Sequence, residues 1–433
     1  MNISRSEIMP GVNLSYVHSD KFKTACMSIN LLCQLQRESA SSNALIPHVL
    51  RRGTTRYGDI ESLSRRMNEL YGTAIEPVVR RIGEIQCLGF YASFPEAMFI
   101  PGGEELLSET ASLMGELLLS PATKGGLFLP DYVESEREKL IDDIKARSNN
   151  KRSWALIRCI EEMCCYEDFA VGACGNVSDC EAINYKKLSR HYKALLQKSP
   201  VEIFYCGRAK EREVRRALKD ALVTLPRGEI DYDIGTDLRM NSVEDEPRFV
   251  EEQMDVNQGT LVLGYRLGEV MEDPDLAALY VFNSIFGSGS SSKLFMNVRE
   301  KLQLCYYAGS SLIVHKGLML AYTGIEFDKL EAAKNEIVAQ LEEIKKGNIS
   351  EQELAAAKSG VASELRATMD AQGALEGFYL SQTLLGLDYG PMELAALAEE
   401  VSIEDVVEIA NSVECDLIYF MTGEENPEED GEE

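Results

Sequence analysis

Residues 65–94 read RRMNELYGTAIEPVVRRIGEIQCLGFYASF, and residues 298–327 read VREKLQLCYYAGSSLIVHKGLMLAYTGIEF. Each stretch has the pattern of a helix followed by two strands with alternating apolar residues. One offset superposes the two stretches, and each half of the chain closes with a helix and an apolar strand, VEIFYCG at 201–207 and DLIYFMTG at 416–423. An internal duplication is the simplest explanation of this repeated order.

The duplication predicts the fold class and the domains. We expect an α+β fold with two homologous lobes, each an antiparallel-rich sheet with helices packed on one face. The lobes should span residues 1–226 and 248–423, because the polar segment 227–247 between them lacks clear periodicity and is typical of a linker. Residues 424–433 are nearly all acidic, so we expect them to form a disordered tail.

Composition disfavours several classes of function. The 433 residues include 71 acidic and 44 basic side chains, which gives a net charge of -27. This excess disfavours nucleic acid and anionic membranes as partners, whereas it attracts basic peptides. No apolar run is long enough to cross a membrane and no secretory h-region is present, so we expect a cytoplasmic protein. The 11 cysteines include no C-x-x-C pair and are expected to be reduced thiols rather than zinc ligands.

Two segments carry a resemblance to a known family. They are SSNALIPHVLRRGTTRYG at 41–58 and GSGSSSKLFMNVREKLQLCYYAGSS at 287–311. Together with the two-lobed plan, they resemble the insulinase/pitrilysin-type zinc metallopeptidases, whose relatives include the mitochondrial processing peptidase and core proteins of respiratory complexes. The resemblance covers nearly the whole chain and implies a clam-shell arrangement of the lobes.

The first segment is similar to the family's zinc-binding helix. Its H-x-x-E-H motif places two histidines on one helix face, and its Glu is the general base that activates the metal-bound water. By resemblance, the first histidine position is Ala44 and the base position is Pro47, which leaves His48, and the later carboxylate ligand falls on Asp143. Because one histidine and one carboxylate do not make a zinc site, the resemblance implies no metal, no cofactor and no catalytic residue in this chain. His48 would then be a structural or surface histidine.

The second segment keeps the family's Arg-x6-Tyr spacing at Arg299 and Tyr306. In active relatives this pair reaches the substrate from the lobe without zinc, so the resemblance implies a substrate-binding role. A guanidinium binds peptide carbonyl groups, and a tyrosine hydroxyl can stabilise a developing oxyanion. The structural alternative is that Arg299 pairs with a nearby carboxylate and Tyr306 packs in the sheet. The sequence departs from the family pattern at residues 302–303, and the adjacent Tyr307 leaves the register of the aromatic position open.

By resemblance, the zinc-site residues are missing from the first half of the chain, at Ala44 and Pro47, whereas the pair Arg299 and Tyr306 is kept in the second half. Two subunits with different roles would explain this difference. The chain would be the non-catalytic subunit of a heterodimeric metallopeptidase or processing factor, and a homologous partner would supply zinc and base for a basic or unstructured peptide substrate. A homodimer is the alternative assembly. The competing hypothesis is a non-proteolytic binding or scaffold protein, and similar paired proteins of Gram-positive bacteria are linked by a label to modification of elongation factor P. A stand-alone hydrolase is disfavoured because the chain has no G-x-S-x-G motif, P-loop or second H-x-x-E-H motif.

Overall fold

The computed structural model describes residues 3–242, 244, 246–272 and 274–423. The predicted acidic tail at 424–433 lies outside these residues. Within the described ranges, no helix is both long enough and apolar enough to cross a lipid bilayer.

Strands and helices are interspersed along the whole of the described chain. The strands are β1 (Ile3–Met9), β2 (Val12–His18), β3 (Thr24–Gln34), β4 (Ala74–Ile82), β5 (Ile85–Pro95), β6 (Thr123–Lys124), β7 (Leu127–Phe128), β8 (Val201–Gly207), β9 (Arg248–Met254), β10 (Gly259–Arg266), β11 (Cys305–Ile313), β12 (Leu318–Ile325) and β13 (Glu414–Gly423). The helices are α1 (Arg37–Leu50), α2 (Ile60–Glu69), α3 (Leu107–Leu119), α4 (Pro130–Ala146), α5 (Lys151–Met163), α6 (Val177–Glu181), α7 (Tyr185–Lys198), α8 (Glu211–Ala221), α9 (Leu276–Asn283), α10 (Leu330–Lys345), α11 (Glu351–Thr368), α12 (Gln372–Leu385), α13 (Pro391–Glu400) and α14 (Ile403–Ser412). Two π-helical segments, Ser284–Ser288 and Leu294–Lys301, follow α9.

Contacts group these elements into two compact units, and each unit draws on both halves of the chain. Unit 1 consists of Met1–Lys145, Val171–Gly235 and Thr368–Gly390, and unit 2 consists of Ala146–Ala170, Thr236–Ala367 and Pro391–Glu433. The continuous lobes at 1–226 and 248–423 stay a prediction about the extent of the repeats. The compact units differ from them in two short segments, because α5 belongs to unit 2 and α12 belongs to unit 1.

Unit 1 is built on a six-stranded sheet in the order β1-β2-β8-β3-β5-β4. Neighbouring strands are antiparallel, apart from the parallel pair of β2 and β8. Successive residues of β3 point to opposite faces. Met27 belongs to the main core with α1, α3 and α7, whereas Cys26 packs with Leu375 and Tyr379 of α12. The expected helices therefore cover one face, and α12 adds a cover on the other.

Unit 2 is built on a five-stranded sheet in the order β11-β12-β10-β13-β9, with β13 and β9 parallel. This order matches β4-β5-β3-β8-β2 of unit 1, so β1 is the additional strand there. Helix α5 covers this sheet as α12 covers the other: Ala155 and Cys159 pack with Val262 of β10 and Leu417 of β13. The predicted α+β class with antiparallel-rich sheets is confirmed.

A buried carboxylate fastens α12 to the sheet of unit 1. The side chain of Glu376 is only 3% exposed, and Arg80 of β4 donates two hydrogen bonds to it at 2.6 and 2.8 Å. Ser28 of β3 donates to the same carboxylate at 2.8 Å, and Asn30 at 3.3 Å. This bidentate pair, with two further donors, satisfies a charge that would otherwise be costly to bury.

A second buried carboxylate fastens the segment that carries α5. The side chain of Glu167 is 3% exposed and lies 2.7 Å from both Arg266 and Lys316, whose side chains are fully buried. Arg266 also pairs with the buried Asp416 at 2.9 Å. Burial acts to raise the pKa of Glu167, but the hydrogen bonds from Arg266 and Lys316 outweigh it and lower this pKa. Glu167 therefore stays charged in the folded protein.

We expect Glu167→Gln to lower the free energy of unfolding by about 3–5 kcal/mol at pH 7, because it leaves two buried cations with one carboxylate. The lowered folded-state pKa means that this stability is present above the unfolded pKa, about 4.3, and is lost as the pH falls through the folded value. The gap between wild type and variant should therefore narrow below about pH 4. Urea unfolding followed by circular dichroism measures this, with Glu408→Gln on the exposed face of α14 as the matched control. Equal stability of wild type and Glu167→Gln at pH 7 would contradict the prediction.

Candidate functional site

Helix α1 holds the positions that resemble the zinc-binding motif. Ala44 and Pro47 are both buried in the core of unit 1, and Pro47 lies in the last turn of the helix. The carbonyl of Pro47 accepts a hydrogen bond from the amide of Arg51, so the helix closes normally after it. Neither side chain has a donor atom for a metal or a group that can accept a proton from water. Helix α1 thus packs in the core of unit 1 and offers neither a metal ligand nor a base at these two positions.

His48 lies beside α4, which carries Glu136 and Asp143. Burial lowers the pKa of His48, Glu136 and Asp143 act to raise it, Lys139 acts to lower it, and the net direction is down. His48 is therefore neutral at pH 7. The structure thus brings His48 within electrostatic range of the predicted carboxylate position Asp143, which is itself exposed.

Arg52 and Lys139 are paired with Glu136, the second carboxylate of α4 near His48. Glu136 is 7% exposed, and its Oε1 accepts hydrogen bonds from Arg52 at 3.1 Å and from Lys139 at 2.7 Å. Arg52 also lies over the ring of Tyr132 at 4.9 Å, which orients its guanidinium. A divalent cation would have to displace both positive groups. The residues at this place therefore do not fit zinc, and no cluster of three or more His, Cys, Asp or Glu side chains suited to a metal occurs in the described ranges.

Arg299 lies in the π-helical segment Leu294–Lys301, directly before β11. Its side chain is 43% exposed, stacks over the ring of Phe295 at 4.9 Å and lies 3.5 Å from Glu300. Burial raises the pKa of the Cys305 thiol, and Arg299 and Thr323 act to lower it, so the guanidinium is close to the first residue of the strand. The structure thus places Arg299 near the beginning of β11.

Tyr306 and Tyr307 have opposite environments. The register between β11 and β12 shifts between Cys305 and Tyr307, and Tyr306 lies at this irregularity with 64% of its surface exposed. A bulge of this kind turns one side chain away from the regular face of the sheet. No hydrogen bond joins the side chain of Tyr306 to Arg299 or to any other described residue. The side chain of Tyr306 is thus open to solvent.

Tyr307 is held within unit 2 instead. Its hydroxyl lies 3.3 Å from that of Thr260, and its carbonyl accepts a hydrogen bond from Thr323. The guanidinium of Arg152, at the start of α5, lies 4.5 Å from the ring of Tyr307 and 4.7 Å from that of Tyr322. Burial raises the pKa of Tyr307, which stays neutral. Packing in the sheet, the structural alternative considered for Tyr306, is therefore found at the neighbouring Tyr307.

Sequence reasoning missed the residues that contact these positions. The spacing of Glu136 and Lys139, three apart on one helix, could have predicted their ion pair. No local pattern connects Arg52 with Glu136, or Arg152 with Tyr307, because each pair joins separate elements.

Comparison with known proteins gives this geometry a family. The family model described as the peptidase M16 inactive domain matches residues 182–361. The chain is 32% identical to a Bacillus subtilis protein named probable inactive metalloprotease YmfF over 420 residues, which cover 96% of each chain. The crystal structure of a conserved protein from Enterococcus faecalis superposes on this chain with a TM-score of 0.88 at 26% sequence identity. The superposition covers 99% of this chain and 100% of the Enterococcus chain. The M16 inactive domain from Pseudomonas fluorescens shares the fold, with a TM-score of 0.77 at 15% identity over 98% of each chain.

The resemblance to the insulinase/pitrilysin-type peptidases is therefore confirmed by relatives that match along the whole chain. The Bacillus protein is named as probably inactive, and the family model is described as an inactive domain, which matches residues 182–361 and does not include α1. The α1 positions agree with the name of the Bacillus protein, since the side chains of an alanine and a proline cannot bind a metal or activate water. This chain belongs to the M16 peptidase family.

Proposed function

We propose that this chain is the non-catalytic subunit of an M16-type peptidase or processing complex. In this complex a homologous partner supplies zinc and the general base, and this chain supplies Arg299 and Tyr306 to the bound peptide. The proposal rests on the contrast between the surroundings of α1 and the start of β11. The carboxylate near α1, Glu136, is paired with Arg52 and Lys139. The side chain of Tyr306 in β11 is exposed and makes no hydrogen bond to another described residue.

Near α1, both the metal ligands and the general base that zinc catalysis needs are lacking. Catalytic zinc needs three protein ligands and an open position for water, and the base must accept a proton from that water. In α1, His48 is the one imidazole, and Arg52 and Lys139 bind the buried carboxylate of α4, while Asp143 faces solvent. Peptide hydrolysis by this chain alone would need a different site.

The other place keeps the chemistry that a helper subunit needs. Arg299 has a preformed orientation from its stacking on Phe295, and its contact with Glu300 is an exposed ion pair that contributes little to stability. A peptide carbonyl can replace such a partner at low cost. Tyr306 is exposed to solvent, and its hydroxyl can donate a hydrogen bond to an oxyanion. A net charge of -27 favours basic peptides through long-range attraction.

A second candidate is a binding or scaffold protein without proteolysis. It is favoured by the fact that Arg299 already has two partners, Phe295 and Glu300, as a residue with a structural role would have. The two candidates differ in whether a zinc-bearing partner copurifies with the chain and whether the assembled pair cleaves peptides.

We expect the purified chain to hold far less than one zinc per molecule after dialysis against a zinc buffer, because Ala44 and Pro47 remove a ligand and the base while Arg52 and Lys139 bind Glu136. Elemental analysis measures the metal content, and His48→Ala is the control for incidental binding. One zinc per wild-type chain that is lost in His48→Ala would refute the degenerate site.

We expect Arg299→Ala and Tyr306→Phe each to slow single-turnover cleavage by the reconstituted pair about 10²-fold, the effect of losing one preorganised donor to a developing oxyanion. Assembly and zinc content should stay unchanged, as gel filtration and metal analysis would show. Matched controls are Arg366→Ala, which removes an arginine of similar exposure (45%) paired with Glu399, and Tyr166→Phe, at a tyrosine that is 76% exposed. Unchanged rates in both site variants would leave the scaffold hypothesis as the better account.

A further inference from the structure

An arginine of unit 2 is held between two tyrosine rings and has no acidic partner. The guanidinium of Arg152, the second residue of α5, lies 4.5 Å from the centre of the Tyr307 ring and 4.7 Å from that of Tyr322. Arg152 is exposed, and its N–H groups make no ion pair or hydrogen bond with another described residue. Arg158 of the same helix is instead paired with three glutamate carboxylates. The donors of Arg152 are therefore available to a ligand.

Two glycines fix the positions of the tyrosine rings. Tyr307 of β11 pairs with Gly324 of β12, where a Cβ atom would come within 2.3 Å of the ring. Tyr322 of β12 pairs with Gly309 of β11, where a Cβ atom would come within 3.2 Å of the tyrosine hydroxyl and 3.3 Å of the ring. Each ring thus lies against the backbone of the opposite strand, which a glycine permits. The two rings that contact Arg152 are therefore part of the sheet and not loose surface groups.

Stacking determines which part of the guanidinium a ligand can reach. An aromatic ring contacts the flat face of the group, whereas the N–H donors point outward in its plane. The rings of Tyr307 and Tyr322 therefore orient the donors of Arg152 without using them. This planar fork matches the two oxygens of a carboxylate, to which it donates two parallel hydrogen bonds.

The charges around Arg152 also favour an anion. Lys151 and Arg152 are the first two residues of α5, and no acidic residue lies in the first turn of this helix. The amino-terminal end of a helix carries a partial positive charge, so it disfavours cations and favours anions. A carboxylate bound by Arg152 would reduce this unfavourable concentration of positive charge.

We propose that Arg152 binds a carboxylate group of a peptide through two hydrogen bonds from its guanidinium. A cation would be repelled there, and a neutral amide offers one acceptor oxygen and no charge. The C-terminal carboxylate of a peptide and the side chain of an acidic residue share the required chemistry.

This site is compatible with the acidic character of the whole chain. The net charge of -27 acts at long range on the whole peptide, whereas Arg152 acts at short range on one group. A peptide with a net positive charge can therefore still place a carboxylate on Arg152. The proposal needs neither Arg299, nor Tyr306, nor a partner subunit, so it stands or falls separately from the proposed function.

Isothermal titration calorimetry of the isolated full chain tests the site with two small acids. Acetyl-diglycine carries a C-terminal carboxylate, and Nα-acetylglutamate amide carries a side-chain carboxylate. We expect at least one of them to bind saturably, and the neutral counterparts, acetyl-diglycine amide and Nα-acetylglutamine amide, to bind at least tenfold more weakly. The difference between the two acids separates the two sources of the carboxylate. Equal binding of acids and neutral counterparts, or no saturable binding of either acid at millimolar concentration, would overturn the proposal.

Arg152→Lys keeps the positive charge but loses the planar fork, so it should weaken binding of the acids about tenfold or more. Its thermal midpoint should change little, because the side chain is exposed. Arg56→Lys is the matched control, since Arg56 of unit 1 is also exposed and stacks on one ring only, that of Tyr57 at 5.2 Å. This control should bind the acids as wild type does. Equal affinity of wild type and Arg152→Lys, or an equal loss in Arg56→Lys, would refute the role of Arg152.

Discussion

The buried charge pairs of Glu376 with Arg80 and of Glu167 with Arg266 are the interactions on which both units depend. Each pair fastens a segment from one half of the chain to a sheet built by the other half. Without α12 and α5, the second apolar face of each sheet would be exposed, since Cys26 and Val262 lie under these helices. Hydrophobic burial supplies the driving force, and the buried pair fixes where the segment sits, because a charge left without its partner in the core is strongly unfavourable.

Helix α1 is held in place by packing and by charge balance on the neighbouring α4. Helix α1 contributes Ala44 and Pro47 to the core of unit 1, so its packing does not depend on metal ligands. The buried carboxylate of Glu136 still needs compensation, and Arg52 and Lys139 provide the positive charge. The charge of this buried carboxylate is thus balanced by two side chains of the same chain.

In unit 2, two neighbouring tyrosines of β11 differ in exposure and packing. The bulge at the start of β11 leaves Tyr306 exposed, while Tyr307 is held by Thr260 and by the stacked guanidinium of Arg152. Arg152 belongs to the segment that carries α5. This segment therefore both covers the sheet of unit 2 and packs against Tyr307.

The sequence alone determined the α+β class, the repeated helix–strand–strand order and the family, because periodicity and motif spacing are local properties of the chain. It also identified Ala44 and Pro47 as incompatible with zinc, since a residue type limits its chemistry wherever it lies. Tertiary structure decided that α5 and α12 each join the unit of the other half, that Arg52 neutralises Glu136, and that Tyr306 rather than Tyr307 faces solvent. These facts depend on contacts between residues far apart in sequence and on a single register shift, and neither leaves a periodic signal that the sequence could display.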